Sequence, residues 1–438
     1  MAYLDDFLAA MRDRADLREW VSLTRQVFNV LGFEFKERKY EWEPTQLKRH
    51  LGVLIDTRRC LFLIPSDKEQ KIKEMAVSLL KSPRVAAQTL ARFCGLAISL
   101  HLAFPPARFF LQSLYDVLRT KRNWRDQLRL SPQARLDLQA WQHLGRWTGR
   151  AFAPDSLPQI GTLATDASPT GWGATFLPAP DRRLLLARGF FNRASQHINV
   201  RELEAVRRTI LSFFPTSGRR PPSLCQTSWA RVRLKVDNQV VMYCLRSLCS
   251  PSLALMKEIR TLFYLLESRR IILEPEYIRS EDNVIPDRLS REANNDDYKL
   301  HPRLYCRLQR HFGPRTVDRF ASYRNRQCER YNSLTWDVGT EAVDAFSQHW
   351  EGEHNWCNPP WSLLPRLVNF LTHWPRVEAV VIAPEWPQAM WFRPLQDLSS
   401  TSVLLPRQHE MFVPGHPGLP RVLQPPRWDL RAFHVTPR

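Results

Sequence analysis

Four acidic residues stand where they could share a chemistry. Asp166 closes the run Ile160-Gly161-Thr162-Leu163-Ala164-Thr165, and Glu202 lies in Asn199-Val200-Arg201-Glu202-Leu203-Glu204. Asp237 follows the alternating Val232, Leu234 and Val236, and Asp287 lies in Val284-Ile285-Pro286-Asp287-Arg288-Leu289-Ser290-Arg291. Hard divalent cations take oxygen ligands, and two such ions about 3.5–4 Å apart can activate a water and stabilise the leaving oxygen of a phosphodiester. Each acid alone has an ordinary use. Asp166 could form an Asx turn, Glu202 could complete a capping box with Asn199, and Asp237 and Asp287 could each cap a helix. Taken together they fall on strand end, helix, strand end and helix, the elements a two-metal site needs.

Those elements are legible around them. IGTLATDAS, GWGATFLP and RRLLLARGFF read as three strands, and NVRELEAVRRTILSFF as a helix. ARVRLKVDN alternates as a strand, with Arg231, Arg233 and Lys235 opposite its apolar residues. LALMKEIRTLFYLLESR is helical, IILEPEYIR a strand, and NVIPDRLSREAN opens a last helix. The order β-β-β-α-β-α-β-α predicts one mixed-sheet α/β domain over residues 158–295. On the first helix, Glu202 and Glu204 lie roughly 200° apart and flank the apolar stripe of Val200, Leu203, Ile210 and Phe214. Only one of the two can face the strand-end acids, and helical geometry does not choose between them.

The combination of TDAS-x-x-GWGA, RELEA, VDNQ and DRLSR resembles the ribonuclease H domains of retroelement polyproteins, over about 135 residues. The resemblance implies a mixed sheet with flanking helices and a site of two Mg²⁺ ions. It gives the metal-ligand and catalytic roles to Asp166, Glu202, Asp237 and Asp287, and favours Glu202 over Glu204. No His stands between Tyr277 and Asp287, so the auxiliary histidine of some cellular relatives has no counterpart.

Residues 1–152 read as mostly helical after a short strand-rich start. YEWEPTQLKRHLGVLIDTRRCLFLIP alternates as a strand pair, and LSPQARLDLQAWQHLGRW predicts a helix with Ser131 as N-cap and Pro132 at its first position. Tyr3-Leu4-Asp5-Asp6 pairs two carboxylates in a way that suits nucleotidyl transfer. With His50-Leu51-Gly52-Val53-Leu54-Ile55-Asp56, RFCGLAISL and the 131–147 helix, it resembles the end of the palm, the thumb and the connection of reverse transcriptases of the DIRS and Ngaro retrotransposons. Asp5 and Asp6 match the polymerase motif. The fingers and the further Asp that motif needs would lie upstream of Met1, so this chain alone is expected to make no DNA.

Asn358-Pro359-Pro360-Trp361 follows the strand HNWC in residues 303–438. The Asn358 amide oxygen and the Pro359 carbonyl can accept both hydrogens of an adenine exocyclic amine, and Trp361 offers a face for stacking on a flipped base. With VDRFAS, VDAFSQHW and AVVIAPEWPQAMWF, the segment resembles the phage-type, Dam-like DNA N6-adenine methyltransferases over about 90 residues. That resemblance implies an α/β domain, places Asp318 near S-adenosylmethionine, and makes Asn358 to Trp361 the target-adenine pocket. The glycine-rich F-x-G-x-G loop is absent, and Trp stands in place of the usual Tyr.

Composition agrees with nucleic acid as partner. The 438 residues carry 63 Lys and Arg against 44 Asp and Glu, a formal charge of +19. Arg303, Arg307, Arg310, Arg315, Arg319, Arg324, Arg326 and Arg330 crowd one stretch and are expected to contact phosphates. The 44% apolar content and 15 Trp exclude a disordered basic tail. There is no G-x-x-x-x-G-K-[ST] and no G-x-G-x-x-G, which excludes Walker-type and standard dinucleotide-binding chemistry. No apolar run reaches the 18 or so residues of a membrane span, there is no secretory signal, and the eight Cys show no metal spacing. An intracellular protein of cytoplasm or nucleus is expected, acting on RNA–DNA hybrid and DNA beside other retroelement proteins. The expected activity is Mg²⁺-dependent hybrid cleavage within an α/β multidomain fragment. The alternatives are a non-catalytic nucleic-acid-binding protein from a decayed element, or a DNA N6-adenine methyltransferase.

Overall fold

The structure is a computed structural model that describes residues 2–3, 6–33, 41–146, 149–151, 157–178, 183–191, 196–215, 229–291, 298–415 and 426–437. The chain divides into two compact units, one of Met1–Ser156 with Ser247–Cys249, the other of Leu157–Arg246 with Ser250–Arg438.

In the first unit, Ala2–Tyr3 pairs with Asp6–Phe7. Asp6 is described by its backbone alone, and Asp5 lies outside the described residues. The 40–65 segment forms three strands, Leu47–His50, Val53–Asp56 and Leu61–Leu63, where alternation predicts two. Two tight turns make the difference. Leu51 and Gly52 both take positive φ, as a two-residue hairpin loop requires. Asp56 Oδ1 then accepts from the amides of Arg58 and Arg59 at 3.0 and 3.1 Å and turns the chain again. Helices Ser66–Lys81, Ala87–Ile98, Ala107–Arg119 and Pro132–Gln142 follow. Ser131 caps the last of these, its hydroxyl accepting from Ala134 N at 3.1 Å. Trp141 fills the core between them, edge-on to Phe93 and Phe104.

In the second unit, strands β1 (Gln159–Ala167), β2 (Gly171–Pro178) and β3 (Leu185–Phe190) form an antiparallel meander. Helix α1 (Ile198–Phe213) leads to β4 (Ala230–Val236), helices α2 (Gln239–Ser247) and α3 (Leu253–Arg269), β5 (Ile271–Tyr277) and α4 (Val284–Arg291). The sheet order is β3-β2-β1-β4-β5, with β4 parallel to both β1 and β5. Where periodicity predicts one helix between β4 and β5, there are two. Leu248 at φ +52° and Pro251 break the segment, since neither conformation continues a helix. The stripe Val200, Leu203, Ile210 and Phe214 is buried, as are Val232, Leu234 and Val236.

The remainder of this unit carries β6 (Tyr298–Leu300), α5 (Pro302–Phe312), β7 (Val317–Asp318), β8 (Arg330–Ser333), β9 (Ala342–Val343) and β10 (His354–Cys357). Then come α6 (Leu364–His373), β11 (Glu378–Pro384), α7 (Phe392–Leu398), β12 (Ser399–Leu405), β13 (Phe412–Pro414) and β14 (Leu430–Val435). The second sheet runs β9-β8-β7-β10-β11-β14-β12, parallel except for β14. Apolar cores cover both its faces, one under α6 and α7 and the other under α5. Among the described residues, no helix is long and apolar enough to cross a membrane.

Candidate functional site

Asp166, Glu202 and Asp237 come together. One carboxylate oxygen from each lies within 4.8 Å of the other two. Three different elements bring them there. Asp166 is the penultimate residue of β1, the central strand, and Asp237 directly follows the adjacent parallel β4. Glu202 projects from the first turns of α1, whose apolar stripe packs on the sheet. An asparagine pair ties two of these elements. Asn238 Nδ2 donates to Asn199 Oδ1 at 2.9 Å, joining the start of α1 to the turn that carries Asp237. Asn238 Oδ1 also accepts from Val241 N at 3.1 Å, so Asn238 rather than Asp237 caps α2. His197, not Asn199, caps α1. Glu204 points elsewhere and pairs with Arg208 at 2.7 Å.

Helix α4 closes the site because two glycines let it. A Cβ at Gly171 would meet Ser290 O at 2.6 Å, and one at Gly173 would run into Pro286 O. The helix therefore rests directly on the backbone of β2. Asn283 Nδ2 donates to Thr165 O at 2.9 Å and fixes the start of the helix against β1. Asp287, in its first turn, lies outside the three-oxygen group and bonds Arg291 Nε at 2.7 Å. Its charge still reaches Asp166. Asn199, Asn238, Asn283 and Ser290, which join these elements, are not evident from sequence alone. The signal for Ser290 is its place one turn after Asp287 in DRLSR.

The electrostatics show what the cluster favours. Burial first, then the charges of Asp166 and Asp237, push the Glu202 carboxyl up to about 9. Burial likewise raises Asp166, opposed by a hydrogen bond from Ser290. Glu202 Oε2 is buried with no hydrogen-bond partner among the described residues. Crowded carboxylates with an orphaned oxygen are poorly satisfied by protein alone and well satisfied by a hard dication. The donor set thus fits Mg²⁺.

The second sheet has its own strand-end crevice. Strand order reverses between β7 and β10, where open α/β sheets bind ligands. Asp318 and Asn358 both lie at that carboxyl edge. The oxygens of Asp318 are already engaged, and of Asn358 the amide nitrogen is. Asp318 is 2% exposed, and its two oxygens accept from Phe320 N and Gln327 N at 3.3 and 3.0 Å. Burial pushes it up to about 7. Asn358 Nδ2 donates to Tyr298 O at 3.3 Å. Trp361 meets Trp386 and Trp428 edge-on at 5.5 and 5.4 Å, and these two meet each other at 5.2 Å. Rings at such distances are in contact and leave no slot for a base between them. The residues named for S-adenosylmethionine and adenine do not form an open cradle, and the fit fails.

The arginine-dense stretch divides in two. Arg315 is buried against Glu378 at 2.8 Å, Arg319 is buried on Asn355 and Asn332, and Arg330 pairs with Glu341 and Glu353. Arg324 donates to Phe190 O, and Arg326 lies over Tyr323. Arg303, Arg307 and Arg310 are exposed along α5, a helix without an acidic residue. Five of the eight are thus engaged within the protein, while Arg303, Arg307 and Arg310 share the exposed face of α5.

No family model matches the chain, and no curated protein matches it. Among solved structures it is similar to LC11 ribonuclease H1 in complex with an RNA/DNA hybrid, at 17% identity over 30% of this chain and 92% of that one, with a TM-score of 0.25. It is similar to a foamy viral protease-reverse transcriptase in complex with an RNA/DNA hybrid, at 13% identity over 66% of this chain and 38% of that one, with a TM-score of 0.28. It is also similar to ribonuclease H1 from the archaeon Halobacterium salinarum, at 15% identity over 30% and 92%, with a TM-score of 0.23.

Proposed function

We propose that this chain is a retroelement polyprotein fragment whose 158–295 domain is a Mg²⁺-dependent ribonuclease H, cleaving RNA in RNA–DNA hybrids. The observation that carries this is the convergence of Asp166, Glu202 and Asp237 from three elements, with a buried Glu202 oxygen that has no hydrogen-bond partner among the described residues. Asp166, Glu202 and Asp237 would hold Mg²⁺, with Asp287 on the solvent side of the cluster. Bound there, the metal would supply an activated water and stabilisation of the leaving oxygen. The protein's part is to fix the carboxylates. The β1 and β4 ends set two of them, and the Asn199–Asn238 bond holds the third at their side.

The test is cleavage of a labelled hybrid by the full chain with and without Mg²⁺. Cleavage only with Mg²⁺, lost in Asp237→Asn, is the expected result. Cleavage that survives Asp237→Asn overturns the assignment.

Residues 1–152 we read as the end of a reverse transcriptase, with Asp5 and Asp6 from its motif. For 303–438 the methyltransferase reading has the strand order and the placement of Asn358 to Trp361 in its favour. The engaged Asp318 and the filled tryptophan cluster weigh against methyl transfer. We read this region as a nucleic-acid-binding domain, with Arg303, Arg307 and Arg310 meeting phosphates. Neutralising three phosphates gives a log–log salt slope of about −2.7 from these side chains, at roughly 0.9 per contact. An unchanged slope in the triple alanine variant would reject that role.

A further inference from the structure

Asp166 is held from outside its own strand by one side chain of α4. Ser290 Oγ donates to Asp166 Oδ2 at 2.5 Å, within the range of a hydroxyl bonded to a charged carboxylate. The hydroxyl also lies 2.9 Å from Asp287 O, one turn back on its own helix. It has one proton, and the shorter, charge-assisted contact takes it. Ser290 is 2% exposed and has little freedom to turn away. Ser168 Oγ donates to Ser290 O at 2.7 Å and itself accepts from Gly171 N at 2.9 Å. The last turn of α4 is therefore pinned to the Asp166-Ala167-Ser168 bend, on the floor that Gly171 and Gly173 leave open.

We propose that Ser290 is a positioning residue for the metal centre: its hydroxyl fixes Asp166 through Oδ2 and so presents the remaining oxygen to the cation in one orientation. The inference rests on the reading of Asp166, Glu202 and Asp237 as cation ligands, and on nothing about the nucleic acid. A carboxylate freed of this bond can rotate, and the cation then has to order it. Partners that orient metal ligands typically change metal affinity by about 10–100-fold. Ser290 does not touch the cation itself, so the lower end is expected.

The experiment is a titration of the full chain with Mn²⁺, followed by the paramagnetic resonance signal of the free ion. Ser290→Ala is expected to weaken binding about 10-fold. Ser168→Ala, which loosens the same junction without touching the carboxylate, is expected to stay within about twofold of the wild type, below that range. The metal concentration for half-maximal hybrid cleavage should shift by the same factor as the affinity in Ser290→Ala. Equal affinities in Ser290→Ala and wild type overturn the proposal, and so does an equal loss in both alanine variants, which would mark mere packing. Mn²⁺ binding that depends on Ser290 without hybrid cleavage would sustain the positioning role and reject the ribonuclease reading. No Mn²⁺ binding by the wild type would reject both.

Discussion

Each sheet of the second unit has a buried acid near its carboxyl edge, Glu202 on a helix and Asp318 at a strand end, and the two acids stand in opposite conditions. Glu202 is crowded by Asp166 and Asp237, and its Oε2 has no hydrogen-bond partner among the described residues. Asp318 is as deeply buried, yet both its oxygens are taken by backbone amides of the loop it begins. Near the first lies a set of oxygens that attract a cation. Near the second lie three indoles packed on one another. A buried acid marks a binding site when its hydrogen bonding and charge are left for a ligand to complete. It marks architecture when the protein has completed them itself.

The sharpest way to break this comparison is Glu202→Gln. Hybrid cleavage should fall by more than about 100-fold, beyond what loss of a ligand's neighbour costs. Without metal the folded state should become more stable at neutral pH, because Glu202, raised to about 9, has to take up a proton to be buried and Gln does not. Thermal unfolding with and without Mg²⁺ checks this, and a variant both less active and less stable would count against the cluster as a cation site.

The grouping of Asp166, Glu202 and Asp237 was legible because strand ends and helix faces can be read from periodicity, and two-metal chemistry limits where acids can stand, while Asp287, expected among them, lies outside the three-oxygen group. Periodicity makes no choice between Glu202 and Glu204, since both flank the stripe, and only the family resemblance favours Glu202. The choice is decided by Arg208 and Arg207, which lie on the Glu204 side. Ser290 and Asn283 escaped notice because their partners are more than a hundred residues away. Asn358 to Trp361 was legible as a motif. That Trp386 and Trp428 fill the space beside it depends on segments widely separated in sequence. The extra strand at 47–63 turned on two backbone turns with positive φ at Leu51, Gly52 and Cys60, which apolar alternation does not report.

Next in size is Trp361→Ala. The indole is half-buried, so the cost should be at the low end for such truncations, about 3 kcal/mol. Hybrid cleavage should be unchanged below the unfolding temperature, and calorimetry with S-adenosylmethionine should show no heat in either protein. Heat in the wild type that Trp361→Ala abolishes would reopen the crevice as a site.

The two acids also differ in what relieves them. Both have folded-state values above their ordinary ones, Glu202 at about 9 against 4.5 and Asp318 at about 7 against 3.8. A raised carboxyl favours folding in its protonated form, so its contribution is whole below the ordinary value and lost as pH rises through the folded one. Stability should therefore fall between about pH 4 and 7 through Asp318, and from about pH 4.5 to 9 through Glu202. Mg²⁺ should flatten the Glu202 part alone. With Mg²⁺ present, the fall between about pH 4 and 7 should be shallower in Asp318→Asn than in the wild type. Thermal unfolding across pH, with and without Mg²⁺, measures both.

The smallest effect is expected two residues from the largest. Glu204 sits on the same helix as Glu202, but its carboxylate bonds Arg208 at 2.7 Å and lies 3.5 Å from Arg207. Arg207 has a second partner in Glu258 at 2.9 Å, and Arg208 also donates to Phe190 O at 3.0 Å, so neither cation would be stranded. Glu204→Gln should cost about 1 kcal/mol or less, toward the range of surface pairs. It should leave both Mg²⁺ dependence and cleavage within twofold of the wild type, a change of roughly 0.4 kcal/mol. The physical reason is the one that separates the two sheets: its charge is already answered by the protein. If Glu204→Gln proved as damaging to cleavage as Glu202→Gln, the helix face turned to the metal would have been misassigned, and with it the cluster.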